Sequence, residues 1–224
     1  MEGITLALQL KDKVRGQIYA DEPMCRHTSF HIGGPADVLV IPEDIPDLLE
    51  LIRLLSDLQA PFYVIGAGTN LLVKDEGIRG VVIKIANTLS HINRLGDGIL
   101  RCGAGALLPS VCKNAALAGL SGLEFAGGIP GTVGGAVAMN ASAFGGFMAE
   151  IVDTVEVITY DGQQVRLGRD DLEAGTKTTR ILLEPLILVE VDFALKQDDP
   201  ERVRKRMEKY FRERAHRQPL NLPS

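Results

Sequence analysis

Residues 124–146 read EFAGGIPGTVGGAVAMNASAFGG. Gly127-Gly128, Gly134-Gly135 and Gly145-Gly146 come as pairs, Pro130-Gly131 stands between the first two, and no charge follows Glu124. One long helix is excluded, because each interior Gly costs about 1 kcal/mol against Ala. A flexible linker is excluded too, since linkers this rich in glycine are polar and Ser-rich. Two readings remain. One is a set of tight turns around a small-residue strand at 136–139. The other is backbone laid bare against something flat or anionic. Glycine lets main-chain N–H groups approach where a Cβ would intrude, and successive amides in tight turns form anion-binding hollows.

The chain has 224 residues, 46% hydrophobic and 24% charged, enough for one large domain or two small ones of ordinary globular composition. A net charge of −5 argues against a nucleic-acid partner, which calls for a basic face. Cys25, Cys102 and Cys112 are odd in number and widely spaced, with no zinc pattern, and read as free thiols of a reducing cytoplasm. No apolar run reaches the ~18 residues that span a bilayer. The first residues are acidic and lack a small-residue cleavage site, so they do not read as a signal peptide. The expectation is a cytoplasmic protein with no membrane segment.

Periodicity divides the chain as follows. Residues 1–20 read as a helix with Ile4, Leu8 and Val14 on its stripe. Residues 21–30 are extended and 33–35 turn. Residues 36–41 form a buried strand. Residues 45–58 are the clearest amphipathic helix, with Ile45, Leu48, Leu49, Ile52 and Leu55 on one face, Asp44 as N-cap and Pro46 in the first turn. A strand at 61–65 runs directly into Gly66-Ala67-Gly68-Thr69-Asn70, and a third strand follows at 81–85. That order puts a glycine loop at a strand's C-terminal end, where ligands sit in α/β sheets. Further on come a strand at 99–102, a helix at 109–118 stopped by Gly119, a hairpin turning at Asp161-Gly162, and a strand at 186–193. A last helix starts at Asp198-Asp199-Pro200-Glu201 and runs to about 217. Between 201 and 217 it holds eight Lys or Arg against three Glu, either a solvated face or a lip for an anionic substrate.

Residues 66–70 do not make a Rossmann fingerprint, since the third Gly and the long helix are missing. Nor is there a P-loop, because no Gly-Lys-Ser/Thr occurs. Two small-residue loops with Thr69, Asn70 and Thr132 as neutral hydrogen-bonders suit a diphosphate held by backbone amides instead of by Lys or Arg. The ligand would be a dinucleotide whose flat ring lies on the apolar wall of the second loop.

At these residues the chain resembles the UDP-N-acetylenolpyruvoylglucosamine reductase (UDP-N-acetylmuramate dehydrogenase) family, FAD enzymes of peptidoglycan synthesis. The resemblance covers 26–224. It is carried by RHTSFHIGG (26–34), VIGAGTNLL (64–72), GLEFAGGIPGTVGGA (122–136), MNASAFG (139–145) and RQP (217–219). It implies an α+β fold, a two-lobed FAD-binding domain of the vanillyl-alcohol-oxidase (PCMH) type. With the helices read above, the chain divides into an N-terminal helix at 1–20, FAD-binding lobes at 21–88 and 89–197, and a basic C-terminal helix and tail at 198–224. By the same resemblance Gly66, Gly68, Thr69, Asn70 and Leu71, with Gly131, Thr132, Val133, Gly135, Ala136 and Asn140, line FAD. The implied reaction passes hydride from NADPH through the flavin to the enolpyruvyl double bond of a UDP-sugar, while the protein orients the ring and stabilises the developing enolate. Arg217 matches a basic residue that grips the substrate diphosphate.

Three departures stand out. The family's Tyr-Arg-x-Ser aligns with Thr176-Lys177-Thr178-Thr179, so Lys177 stands for the Arg that polarises the substrate carboxylate and Thr179 for the Ser. Lys keeps the charge and loses the planar fork. Lys177 reads equally well as a surface lysine, and Arg180 allows another register. Phe144 replaces a Tyr frequent in the family. The family continues past its Gln-Pro-x-x-x-Pro-Ser into Ala-Gly-Ser and a substrate domain that holds the proton donor, so this domain is expected to be absent from a sequence ending at Ser224. Two function classes follow: the reductase itself, or a flavin-binding paralogue with another substrate or a regulatory role. A nucleic-acid or membrane role for the basic helix is weak beside the negative net charge.

Overall fold

Residues 38–41, Val-Leu-Val-Ile, offer apolar side chains to both sides of a strand, a pattern that requires both faces covered. The computed structural model describes residues 3–96 and 98–218 and shows that arrangement. α1 (Gly3–Lys11) leads to β1 (Gln17–Pro23), β2 (Pro35–Ile41), α2 (Ile45–Asp57), β3 (Phe62–Ile65) and β4 (Ile78–Lys84). The strands form a sheet of order β1-β2-β4-β3, with β1 antiparallel to β2 and the others parallel. Val38, Val40, Val81 and Ile83 face the main core. Leu39 and Val82 face a smaller cluster completed by Met24, Ala36 and Val73.

α2 forms because its apolar side recurs at helical spacing, burying Leu48, Leu51, Ile52 and Leu55. The Asp44 side chain accepts from the Asp47 amide at 2.9 Å, a cap worth about 1 kcal/mol. The buried Asp47 carboxylate in turn accepts from the amides of Arg15 (2.8 Å), Gly16 (2.9 Å) and Glu43 (2.9 Å), which ties the entry of β1 to the start of α2.

The second half contributes β5 (Ile92–Arg94), β6 (Ile99–Gly103), α3 (Leu108–Leu117), β7 (Leu120–Ser121), α4 (Val133–Ala138), β8 (Ser142–Ala143), β9 (Gly146–Phe147) and α5 (Met148–Ile151). It continues with β10 (Val152–Thr159), β11 (Gln164–Gly168), α6 (Arg180–Leu183), β12 (Leu186–Ala194), β13 (Lys196–Gln197) and α7 (Pro200–Arg217). An antiparallel sheet of order β11-β10-β12-β6-β5 results. One continuous apolar core joins the two sheets, from Leu6, Leu55 and Ile83 to Leu100, Val157 and Phe193. The Phe62 ring, 4.5 Å from that of Tyr160, is part of the same junction.

Several expectations are corrected. The N-terminal helix stops at Lys11, and residues 17–20 belong to β1, paired with β2. Its buried side carries Leu6 and Leu10, with Val14 just beyond, while Ile4 and Leu8 are exposed. Gly16, just before β1, passes so close to the Ile41 carbonyl that a Cβ there would collide with it. The strand reading of 136–139 also fails. Residues 133–138 are a short helix, capped by Thr132 Oγ1, which accepts from the Gly135 amide at 3.3 Å. The start of α7, by contrast, is as expected: Asp199, just before Pro200, accepts from the amides of Glu201 and Arg202. Residues 1, 2 and 219–224, and with them Pro219 of the closing motif and the tail, lie outside the described residues.

α7 is not simply a solvated rod. Arg206 reaches inward to Glu124 (2.8 Å), Asp198 (2.6 Å) and the Ser121 hydroxyl (3.1 Å). Burial pushes the Glu124 carboxyl up. Hydrogen bonds from the Gly122 amide, its own amide, Arg206 and Ser121 outweigh that and leave it below the usual range. A depressed folded pKa stabilises the protein above the unfolded carboxyl pKa of about 4.3 and loses that contribution as pH falls through the folded value. Replacing Glu124 with Gln is therefore expected to lower stability near neutral pH and to flatten the acid limb of a urea-midpoint titration. Phe193→Ala, which empties a fully buried site on the central strand β12, is expected to cost roughly 3–5 kcal/mol in the same assay.

Candidate functional site

Two loops far apart in sequence meet between the sheets. Residues 66–71 leave the C-terminal end of β3, and residues 129–132 lead into α4. They touch directly. A Cβ at Gly66 would collide with Thr132 Oγ1, and one at Gly131, whose φ is +117°, would lie 2.8 Å from Thr69 Oγ1. Thr69 Oγ1 stands 3.4 Å from the Pro130 carbonyl, and Asn70 Nδ2 is 3.0 Å from Met139 Sδ. Glycine at 66 leaves room for the Thr132 side chain, and glycine at 131 leaves room for that of Thr69 and adopts a positive φ.

The amides of these loops are left over. Among the described residues, the N–H groups of Ala67, Gly68, Thr69 and Asn70, and those of Gly131 and Thr132, donate to no protein acceptor. Gly68 and Thr132 are buried residues. Buried backbone donors are seldom orphaned, so two apposed rows of unused amides mark a place for an external acceptor. The Leu71 side chain packs with the smaller core. Val133 and Ala136 are buried in α4, and Gly135 is exposed, its added Cβ meeting only Thr132 Oγ1 at 3.5 Å.

The segment 26–34, to which the residues alone assigned no role, straps the first loop from outside. The Ser29 amide donates to the Gly68 carbonyl at 3.1 Å, and a Cβ at Gly68 (φ +68°) would collide with the His27 carbonyl. The signal in the sequence was Gly68 itself. The strap occupies the carbonyl side of the loop and leaves the amide side open.

The remaining expected residues gather around the end of α4. Asn140, left-handed at φ 41°, is buried, and both ends of its amide are used: Nδ2 donates to the Gly175 carbonyl at 3.0 Å and Oδ1 accepts from Ala149 N at 3.0 Å. Here it works as a brace between segments. Thr179 is fully buried and donates its hydroxyl to the Ala138 carbonyl at 2.9 Å, so it ties α6 to α4 and does not face a ligand. Lys177 is exposed at φ 60° on a turn closed by Gly175 N donating to the Thr178 carbonyl, and among the described residues its ammonium has no partner. Arg180 lies 2.8 Å from Glu184 in an ion pair. Arg217 is exposed, its guanidinium 5.9 Å above the Phe144 ring and 3.8 Å from Glu213. Phe144 in turn stacks on Tyr210 at 4.7 Å. Lys177 and Arg217 are thus both tied, through Asn140 and Phe144, to the segment that follows α4.

The geometry can hold a dinucleotide: bare amides for a diphosphate, small residues where a ring needs clearance, and exposed cations beyond. Among the described residues no group of His, Cys, Asp and Glu could hold a metal, and no helix is long and apolar enough to cross a membrane. Cys102 and Cys112 are buried, and burial raises each thiol to about 12, which removes them from thiolate chemistry.

A family model described as an FAD binding domain matches residues 36–168, which include both glycine loops. The chain is similar to the UDP-N-acetylenolpyruvoylglucosamine reductase of Alkaliphilus oremlandii strain OhILAs, 41% identical over 207 residues, covering 92% of this chain and 68% of that protein. Among solved structures it resembles the UDP-N-acetylenolpyruvylglucosamine reductase (MurB) of Thermus caldophilus, with a TM-score of 0.76 and 36% identity, covering 90% of this chain and 70% of that one. A cholesterol oxidase from Brevibacterium sterolicum, 15% identical with a TM-score of 0.62 over 82% of this chain and 38% of its own, shares the fold alone.

A methyl group at position 66 tests the apposed loops. Gly66→Ala should force the loops apart, at a cost of roughly 1–3 kcal/mol, and the purified protein should lose its bound flavin absorbance while remaining folded by circular dichroism.

Proposed function

Because the chain belongs to the UDP-N-acetylenolpyruvoylglucosamine reductase family, we propose that it holds FAD across its two glycine loops and takes part in the NADPH-driven reduction of UDP-N-acetylenolpyruvoylglucosamine in peptidoglycan synthesis. The observation that carries this reading is the paired rows of unused amides at 67–70 and 131–132, pressed together at Gly66–Thr132 and Thr69–Gly131. When bound, FAD supplies hydride transfer between a nicotinamide donor and the enolpyruvyl double bond.

The chain's own residues bind and orient. The amides fix the diphosphate in register without side-chain freedom to lose. Thr132 holds the second loop by capping α4, and Asn140 braces the turn that carries Lys177. With no carboxylate partner among the described residues, Lys177 is available to a substrate carboxylate and to the negative charge that grows as the double bond is reduced. Arg217 over Phe144 offers a cation and an apolar plate to the nucleotide end of a UDP-sugar. Thr179 is no part of this set, since its hydroxyl is spent on Ala138.

A second reading, a flavin protein acting on another substrate, is favoured by the same Thr179 contact together with the single-point charge of Lys177 where the family has an arginine fork. One variant separates the two. Lys177→Met should slow enolpyruvyl reduction by on the order of 100-fold, leaving NADPH-driven bleaching of the flavin at its native rate. Equal enolpyruvyl reduction by native protein and variant would favour the second reading.

A further inference from the structure

A diphosphate brings negative charge, and neither glycine loop answers it: residues 66–71 and 129–136 contain no Lys or Arg. One cation lies behind the first loop. Lys84 ends β4 and stands in register with Ile65, the residue before Gly66, on a neighbouring strand about 4.8 Å away. Its Nζ is 2.9 Å from His27 Nδ1, and His27 Nε2 is 2.9 Å from Glu22 Oε1. An ammonium only donates, so with Lys84 charged the imidazole accepts at Nδ1 and its Nε2–H donates to Glu22. The Glu22 and His27 side chains are each only 13% exposed. Arg26 is the other cation at Glu22, 3.7 Å away.

The order of the three groups matters. A carboxylate in direct contact with Lys84 would cancel its charge locally. Here an imidazole stands between them, so the ammonium is oriented without being neutralised. Burial holds Lys84 below the usual lysine range, with Glu22 opposing that shift; a half-buried cation in this state gains from a nearby anion. His27 also belongs to the strap whose carbonyl sets the path of Gly68.

We propose that Lys84 supplies the positive charge for the FAD diphosphate, and that His27 and Glu22 are positioning residues that hold its ammonium behind the 66–70 loop. The proposal rests on the flavin reading above and adds a charge to a site whose loops offer neutral amides. A relay that merely tied β1 to β4 would affect every flavin ligand alike, and this gives the test. Flavin-stripped protein is titrated with FAD and with riboflavin, which has the ring but no phosphates. Lys84→Met is expected to raise the Kd for FAD roughly tenfold or more and to leave that for riboflavin unchanged. Lys84→Gln, which keeps a donor for His27 without the charge, should match it, and Lys84→Arg should recover most of the loss. An unchanged FAD affinity in both uncharged variants, or an equal loss for riboflavin, overturns the proposal while leaving the flavin reading intact. Native protein that binds neither ligand overturns both.

Discussion

The contact between Gly66 and Thr132 is the constraint on which the rest depends. It brings the end of a parallel β3 strand against the start of α4, with no side chain of the first loop intervening. Among the described residues the amides of 67–70 and 131–132 find no acceptor in either loop. The strap at 27–29 completes the arrangement by taking up the Gly68 carbonyl from outside. Backbone preorganised in this way costs a ligand little ordering on binding.

Around that contact the polar side chains divide between holding and meeting. Asp47, Glu124, Asn140 and Thr179 are buried, and each spends its oxygen or nitrogen atoms within the protein. Lys177 and Arg217 are exposed; among the described residues the first has no partner, and the second has a distant one. Arg206 anchors α7 to the beginning of the glycine stretch, so the helix that presents Arg217 is fixed at its other end to the segment leading to the second loop.

Local chemistry was legible where one residue type decides a conformation. The cap at Asp44, the face of α2, the turn at Asp161-Gly162 with Gly162 at φ 83° and the stop at Gly119 with φ 65° all follow from single residues and their spacing. The glycine loops were legible for the same reason. What escaped was whatever a distant chain segment determines. β1 reads as the tail of a helix until β2 and the Asp47 carboxylate claim it. Residues 133–138 are helical although glycine and valine disfavour it, because Thr132 caps them and Ala104 accepts from Gly134. Thr179 aligned with a family serine yet faces inward, because its hydroxyl finds the Ala138 carbonyl of α4, a contact that no spacing in 176–180 encodes. The cation behind the first loop was invisible too, since Lys84 and His27 are 57 positions apart.

The aromatic contacts have a use of their own. The chain has four tyrosines and no tryptophan, so tyrosine emission is not drained by energy transfer to an indole. Tyr160 sits against Phe62 where the two sheets join, and Tyr210 sits against Phe144 where α7 covers the glycine stretch. Labelled one at a time with a fluorinated analogue, these two rings would give separate spectroscopic readings of whether the sheets part before the last helix lifts, or the reverse.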